Sequence, residues 1–195
     1  MLEGIFVVVS GYLLGSIPAA YIMCRLRKGI DIRQVDVRNM GAGSTMRQCG
    51  IWEGAVVAIV DVGKGAAAVL LAKYVGADYL FVLAAGFAAL LGHNFPFSIG
   101  FKGGQGVATV MGVFFALAPQ AMVLMLIVMG IVLLVTRHIF SMIFIVSPFL
   151  PLFIWISGLD GSLVIFSIFV VGWIIFRSRA RLRDLNFLPW NKKET

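Results

Sequence analysis

Three stretches of this chain carry residues whose types and spacing suit chemistry on an anion. The first runs Asp31-Ile-Arg-Gln-Val-Asp-Val-Arg-Asn-Met-Gly-Ala-Gly-Ser-Thr-Met-Arg-Gln-Cys-Gly50. Gly41 and Gly43 permit backbone conformations that side chains forbid, and Asn39, Ser44, Thr45 and Arg47 can present donors. The same stretch also reads as a solvated basic loop. The second is Asp61-Val-Gly-Lys64-Gly65, set inside an otherwise apolar segment. A charge at that depth costs about 2.5–3.5 kcal/mol on insertion scales, so such residues face protein or water. Asp61 and Lys64 are three apart on one helix face and can pair. Either they form a structural ion pair, or Lys64 points at an anion and Asp61 steers it.

The third stretch is the most specific. It reads Gly92-His93-Asn94-Phe95-Pro96, then Gly100-Phe101-Lys102-Gly103-Gly104-Gln105-Gly106-Val107-Ala108-Thr109. Closely spaced glycines ahead of an apolar helix suit a nest of backbone N–H groups that binds phosphate. It is not a Walker A loop, because the Gly-Lys-Ser/Thr ending is missing. A tight turn between spans would use the glycines but not Lys102, His93 and Thr109. His93 and His138 are the only imidazoles. Neither sits in a ligand cluster, so no metal and no cofactor are expected.

Hydrophobic residues make up 61% of the 195-residue chain and charged residues 13%. Soluble proteins carry about 25% charged residues, which excludes a water-soluble globule. The expected fold class is an all-α polytopic membrane protein with seven transmembrane helices in a single domain over 1–195. The spans are placed at approximately 4–24, 52–73, 79–93, 104–118, 120–136, 139–157 and 161–176. The 104–118 segment is short for a bilayer. With it counted, every lysine and arginine except Lys64 and Lys73 falls on one side. The positive-inside rule then sets the N-terminus outside and the C-terminus in the cytoplasm. Cys24 and Cys49 flank the basic loop at 25–51, where reduced thiols are expected. The net charge of +7 is explained by topology, and no nucleic-acid partner is expected.

In this order on seven spans, the stretches resemble the acyl-phosphate glycerol-3-phosphate acyltransferases (the PlsY family). The matching residues begin with Leu14-Gly15-Ser16-Ile17-Pro18 and Gly29-Ile30-Asp31-Ile32-Arg33. They continue through Gly41-Ala42, Arg47, Gly50, Asp61-x-x-Lys64-Gly65, Gly92-His93, Pro96 and the run from Gly100 to Thr109, nearly the whole chain. The resemblance implies transfer of an acyl chain from acyl phosphate to glycerol 3-phosphate, giving lysophosphatidate for phospholipid synthesis. It also implies an inner-membrane location with the site on the cytoplasmic side. The partners are those two substrates and membrane lipid, and the sequence leaves the oligomeric state open.

By the same resemblance, Arg47, Lys64, Lys102 and Arg179 bind anions, and the backbone of Gly103, Gly104 and Gly106 holds phosphate. Thr109 is expected to hydrogen-bond substrate. Asn39, Ser44 and His93 are the candidate catalytic residues, with His93 shaping the loop or relaying a proton. The sequence departs from the family pattern at Val37, Gln105, Ser178 and Arg181, where hydroxyl, lysine, histidine and asparagine are usual. The alternative is a non-catalytic paralogue that binds a phosphorylated lipid or a partner membrane enzyme.

Overall fold

Inside lipid, a chain must satisfy its backbone polar groups within its own segments, and helix is the simplest way to do so. The computed structural model describes residues 1–35, 40–137 and 139–182, the side chains of 139–141 and 180–182 excepted. Among the described residues, every regular element is helical. The chain divides into two compact units, Met1–Leu117 and Ala118–Thr195.

The first unit holds α1 (Leu2–Gly15), α2 (Ala19–Lys28), α3 (Ile32–Val35), α4 (Ala42–Gln48), α5 (Ile51–Tyr74), α6 (Tyr79–Asn94) and α7 (Val107–Leu117). A 3₁₀ turn, Phe97–Ile99, follows α6. Small residues set the helix spacing, since lipid tails give no hydrophobic drive for helices to associate and close packing must. A Cβ on Gly11 would strike the Ala85 carbonyl, and one on Gly15 the Ala89 carbonyl, so α1 lies directly on α6. In the same way, Gly65 abuts the Thr109 carbonyl and Gly112 the Val62 carbonyl, which joins α5 to α7. Helix α5 therefore runs through the middle of the unit, touching α1, α2, α4, α6 and α7.

The second unit holds α8 (Pro119–Thr136), α9 (Ile139–Val146), α10 (Leu150–Ile156) and α11 (Gly161–Leu182), with a 3₁₀ turn, Ser147–Phe149, between α9 and α10. Apolar residues on the long helices, such as Ile127 on α8 and Ile168 on α11, are exposed. Such side chains suit contact with lipid tails rather than water.

Several expected boundaries are corrected. Five helical stretches are long and apolar enough to span: Leu2–Lys28, Ile51–Tyr74, Tyr79–Ile99, Pro119–Thr136 and Gly161–Arg179. The expected fourth and sixth spans are represented by shorter apolar pieces, Val107–Leu117 and Met142–Ile156. The fourth loses its first residues to the glycine loop. The sixth is interrupted at Pro148, whose ring removes a donor and disturbs the preceding turn. The first span is likewise broken at residues 16–18, where α1 stops ahead of Pro18. The stretch expected as a basic loop contains α3 and α4. Cys24 and Cys49, expected as reduced thiols, form a disulfide that ties the middle of α2 to the C-cap of α4.

Candidate functional site

The break at residues 16–18 is the first ingredient of the site. Pro18 has no N–H to continue the helical ladder, and the Ile17 carbonyl lies in the break between α1 and α2, outside the ladder of either helix. It accepts from the Ala19 N–H at 3.0 Å and from Lys64 Nζ at 3.2 Å. Lys64 also pairs with Asp61 Oδ1 at 2.9 Å, one helical turn away on α5. His93 Nδ1 approaches the same carboxylate oxygen at 3.4 Å from the end of α6. All three side chains are buried. Buried charges persist only when paired and hydrogen-bonded, and this cluster supplies both conditions.

These residues face a small cavity. Ile17, Tyr21, Met40, Pro96, Gly103 and Gly104 complete much of its wall beside Asp61, Lys64 and His93. An ammonium has three donors. Asp61 and Ile17 account for two of those on Lys64, and no further partner for it is found among the described residues.

The glycine loop closes the cavity because its backbone sits too close to α6 for side chains. A Cβ on Gly103 would fall on the His93 carbonyl, and one on Gly104 on the His93 imidazole and the Met40 carbonyl. The Gly104 N–H donates to the His93 carbonyl at 3.2 Å, and Asn94 Nδ2 donates to the Gly104 carbonyl at 2.9 Å. The loop, expected from sequence to hold phosphate, has a packing role here, and the Gly104 N–H is already engaged. The turn before it uses φ of +74° at Gly100 and 60° at Phe101, closed by the Phe101 N–H on the Pro96 carbonyl at 3.0 Å. Gly106, at φ +91°, precedes the first turn of α7. That conformation is open to glycine at no steric cost.

The other expected site residues are distributed unevenly. Thr109 is fully buried in the first turn of α7, with its hydroxyl unpartnered among the described residues. Ser44 is buried in α4, and Arg47 on the same helix is exposed. Lys102 is exposed and does not line the Lys64 cavity. Instead it lines a separate cleft with Asp31, Arg33, Gln34, Ile99 and Gly100. Arg179 belongs to the second unit, its guanidinium 4.4 Å from the Phe176 ring centre. Ser178 is buried in α11. Asn39 and Val37 lie outside the described residues, as do His138 and the side chain of Arg181.

Sequence reasoning paired Asp61 with Lys64 from their spacing but gave no hint of His93 on that carboxylate. No local pattern relates residues on two different helices. It also passed over Arg33, which forms a bidentate pair with Asp31, Nη2 to Oδ2 at 2.7 Å and Nε to Oδ1 at 2.9 Å. That guanidinium sits 4.8 Å from the Tyr21 ring centre. Its hydrogen bonds hold the Asp31 carboxyl below the ordinary value, and Asp31 in turn raises Arg33. The Asp-x-Arg spelling was the available signal.

The family profile described as glycerol-3-phosphate acyltransferase matches residues 5–186. The glycerol-3-phosphate acyltransferase of Endomicrobium trichonymphae is 35% identical over 187 residues, covering 95% of this chain and 93% of the relative. That of Synechococcus sp. (strain CC9902) is 37% identical over 187 residues, covering 95% and 92%. The crystal structure of PlsY (YgiH), an integral membrane glycerol 3-phosphate acyltransferase, in its glycerol 3-phosphate form matches with a TM-score of 0.85. That match has 33% identity and covers 92% of this chain and 90% of the other. The lysophosphatidic acid form of PlsY gives a TM-score of 0.83 at 32% identity, with the same coverage. With agreement in sequence, length and fold, this chain is an integral membrane protein that belongs to the glycerol-3-phosphate acyltransferase family.

Proposed function

We propose that this chain moves an acyl group from acyl phosphate to glycerol 3-phosphate at the cytoplasmic face of the cytoplasmic membrane. The glycerol hydroxyl oxygen bonds to the acyl carbon as the bond from that carbon to the phosphate oxygen breaks. The hydroxyl proton ends on the departing phosphate, and lysophosphatidate stays in the bilayer. The observation that carries this reading is the buried Lys64 ammonium, which keeps one donor for an anion at the break between α1 and α2. Asp61 holds that cation in place, and His93 braces the carboxylate beside the glycine loop. In such a low-dielectric wall, a preset positive charge stabilises developing negative charge more than an exposed one does.

Arg47, Ser44 and Thr109 are proposed as further contacts to the substrates, with Asn39 beside them in the chain. Arg179, from the second unit, is proposed as an anion ligand. Positioning of two phosphate-bearing reactants supplies the rate, which suits a site where Val37 and Gln105 replace polar residues of the usual pattern. No observation favours the non-catalytic alternative.

Topologically, we propose seven crossings, with the short α7 and the interrupted α9–α10 segment each completing one. The N-terminus then lies outside and the C-terminus in the cytoplasm, as the distribution of lysine and arginine favours. Reporters fused after Asp78 and Asp160 should read outside, and one after Arg137 inside. The deciding assay supplies purified protein with palmitoyl phosphate and glycerol 3-phosphate and measures lysophosphatidate. No product from well-folded protein would refute the reading.

A further inference from the structure

The Cys24–Cys49 disulfide lies in the apolar cluster that backs the Lys64 cavity. Ala20, Met40 and Ile99 belong to that cluster and also line the cavity. On the proposed topology the cysteine pair faces the cytoplasm, where thiols are kept reduced. A disulfide in that compartment is a point of exchange rather than a permanent staple.

With the link in place the cavity is closed. Its volume is about 10 Å³, roughly the room of a single water. A phosphate-bearing substrate enters only if a wall gives way. On the α5 and α6 side, Asp61, Lys64 and His93 hold one another in place. The opposite wall is the first turn of α2, with Ala19, Ala20 and Tyr21. Cys24 follows Ala20 by four residues, so the two sit one above the other on the buried face of α2. At the far end of the link, Cys49 caps α4, which is seated on α5. A Cβ on Gly54 of α5 would strike Met46 and the Ala42 carbonyl of α4. The disulfide therefore pins the movable wall to a fixed block.

We propose that Cys24 and Cys49 form a thiol–disulfide exchange site, which holds the Lys64 cavity shut when oxidised and frees α2 to admit substrate when reduced. The co-reactant is a dithiol reductant. Its thiolate bonds to Cys49 Sγ as the bond from Cys49 to Cys24 breaks, and Cys24 leaves as a thiolate that takes a proton. The second thiol of the reductant then displaces Cys49, which takes the other proton. Two electrons have passed to the cysteines, and the reductant ends as a disulfide. Cys49 is the sulfur open to attack, because it ends a helix of 7 residues beside the exposed Arg47 and Gln48. Short helix ends open locally more readily than packed helix interiors such as that around Cys24. The proposal rests on the acyl-transfer reading for what the cavity admits.

The test compares the full chain in phosphatidylcholine nanodiscs after dithiothreitol and after reoxidation with oxidised glutathione. Intact mass after alkylation reports the fraction in each form. Hydrogen exchange over residues 19–28 should be about tenfold faster in the dithiol form, with kcat/KM for glycerol 3-phosphate about tenfold higher, since apparent affinity follows the fraction of open molecules. Reoxidation should reverse both changes. Cys24→Ala should match the reduced form in either medium, and the redox cycle on wild type carries the test alone if that variant does not fold. Unchanged exchange overturns the proposal whether or not acyl groups are transferred, as does a link that dithiothreitol leaves intact. In a protein that transfers acyl groups, a kcat/KM that is equal or lower after reduction also overturns it. Faster exchange on reduction, with no lysophosphatidate from either form, keeps the redox hold on α2 and refutes the acyl-transfer reading instead.

Discussion

The Asn94 carboxamide, fully buried at the end of α6, donates to the Gly104 carbonyl at 2.9 Å. In the opposite direction, the Gly104 N–H donates to the His93 carbonyl at 3.2 Å. The glycine loop is therefore fastened to the helix that carries His93, and the loop and the imidazole move as one piece. Asn94→Ala strands a buried acceptor, which costs about 1–3 kcal/mol. Thermal unfolding in detergent should show that loss, and acyl transfer measured well below the melting temperature should drop as well. Full activity in this variant would sink the idea that the fastening shapes the site.

Asp61 and Lys64 should be strongly coupled. Removing one partner of a buried ion pair leaves an uncompensated charge and costs about 3–5 kcal/mol. Asp61→Asn and Lys64→Met are each expected to destabilise, and the double variant by less than the sum of the two. A double-mutant cycle on unfolding free energy reads the coupling directly. Simple additivity would mean that the pair contributes nothing as a pair.

Lys73 has a structural task away from the cavity. Its Nζ donates to the Ala116 carbonyl at 2.6 Å, next to the end of α7. Cations at a helix C-terminus satisfy orphan carbonyls and the helix dipole, worth about 0.3–1 kcal/mol. Lys73→Ala should lower the melting temperature slightly and leave the KM for glycerol 3-phosphate unchanged. A large change in KM would contradict this assignment.

The Cys24–Cys49 link closes a segment with a sequence separation of 25. A loop of that order constrains the unfolded chain by about 3.5 kcal/mol in the chain-entropy treatment. Cys24→Ser with Cys49→Ser should therefore lower stability under oxidising conditions, while in reductant wild type and variant converge. Equal unfolding midpoints in both conditions would show that the link adds nothing.

Asp31 gives a pH dependence of known sign. Hydrogen bonds from Arg33 hold its carboxyl below the ordinary value. Its contribution is fully present above the unfolded carboxylate value and is lost as pH falls through the lower folded value. Asp31→Asn should be less stable than wild type at neutral pH, and the two should draw together in strong acid. A gap that widens on acidification would reverse the assignment.

Much of this protein is written into local sequence. Long apolar runs with few charges have no stable option in lipid except helix, so α5, α6, α8 and α11 follow from composition. The three polar stretches were legible because charge and clustered glycine stand out against an apolar background. The spacing of Asp61 and Lys64 is also local, since one helical turn fixes which face they share. Tertiary structure decided the rest. His93 reaches Asp61 because α6 packs against α5, an outcome of the packing of separate helices that no local pattern records. It also turned Lys64 back onto Ile17 at a proline break and assigned Lys102 to a different cleft. The pairing of Cys24 with Cys49 depended on how the middle of α2 packs beside the C-terminal end of α4. Periodicity records which face of a helix is apolar, whereas the partner across the gap is set by how closely two backbones approach.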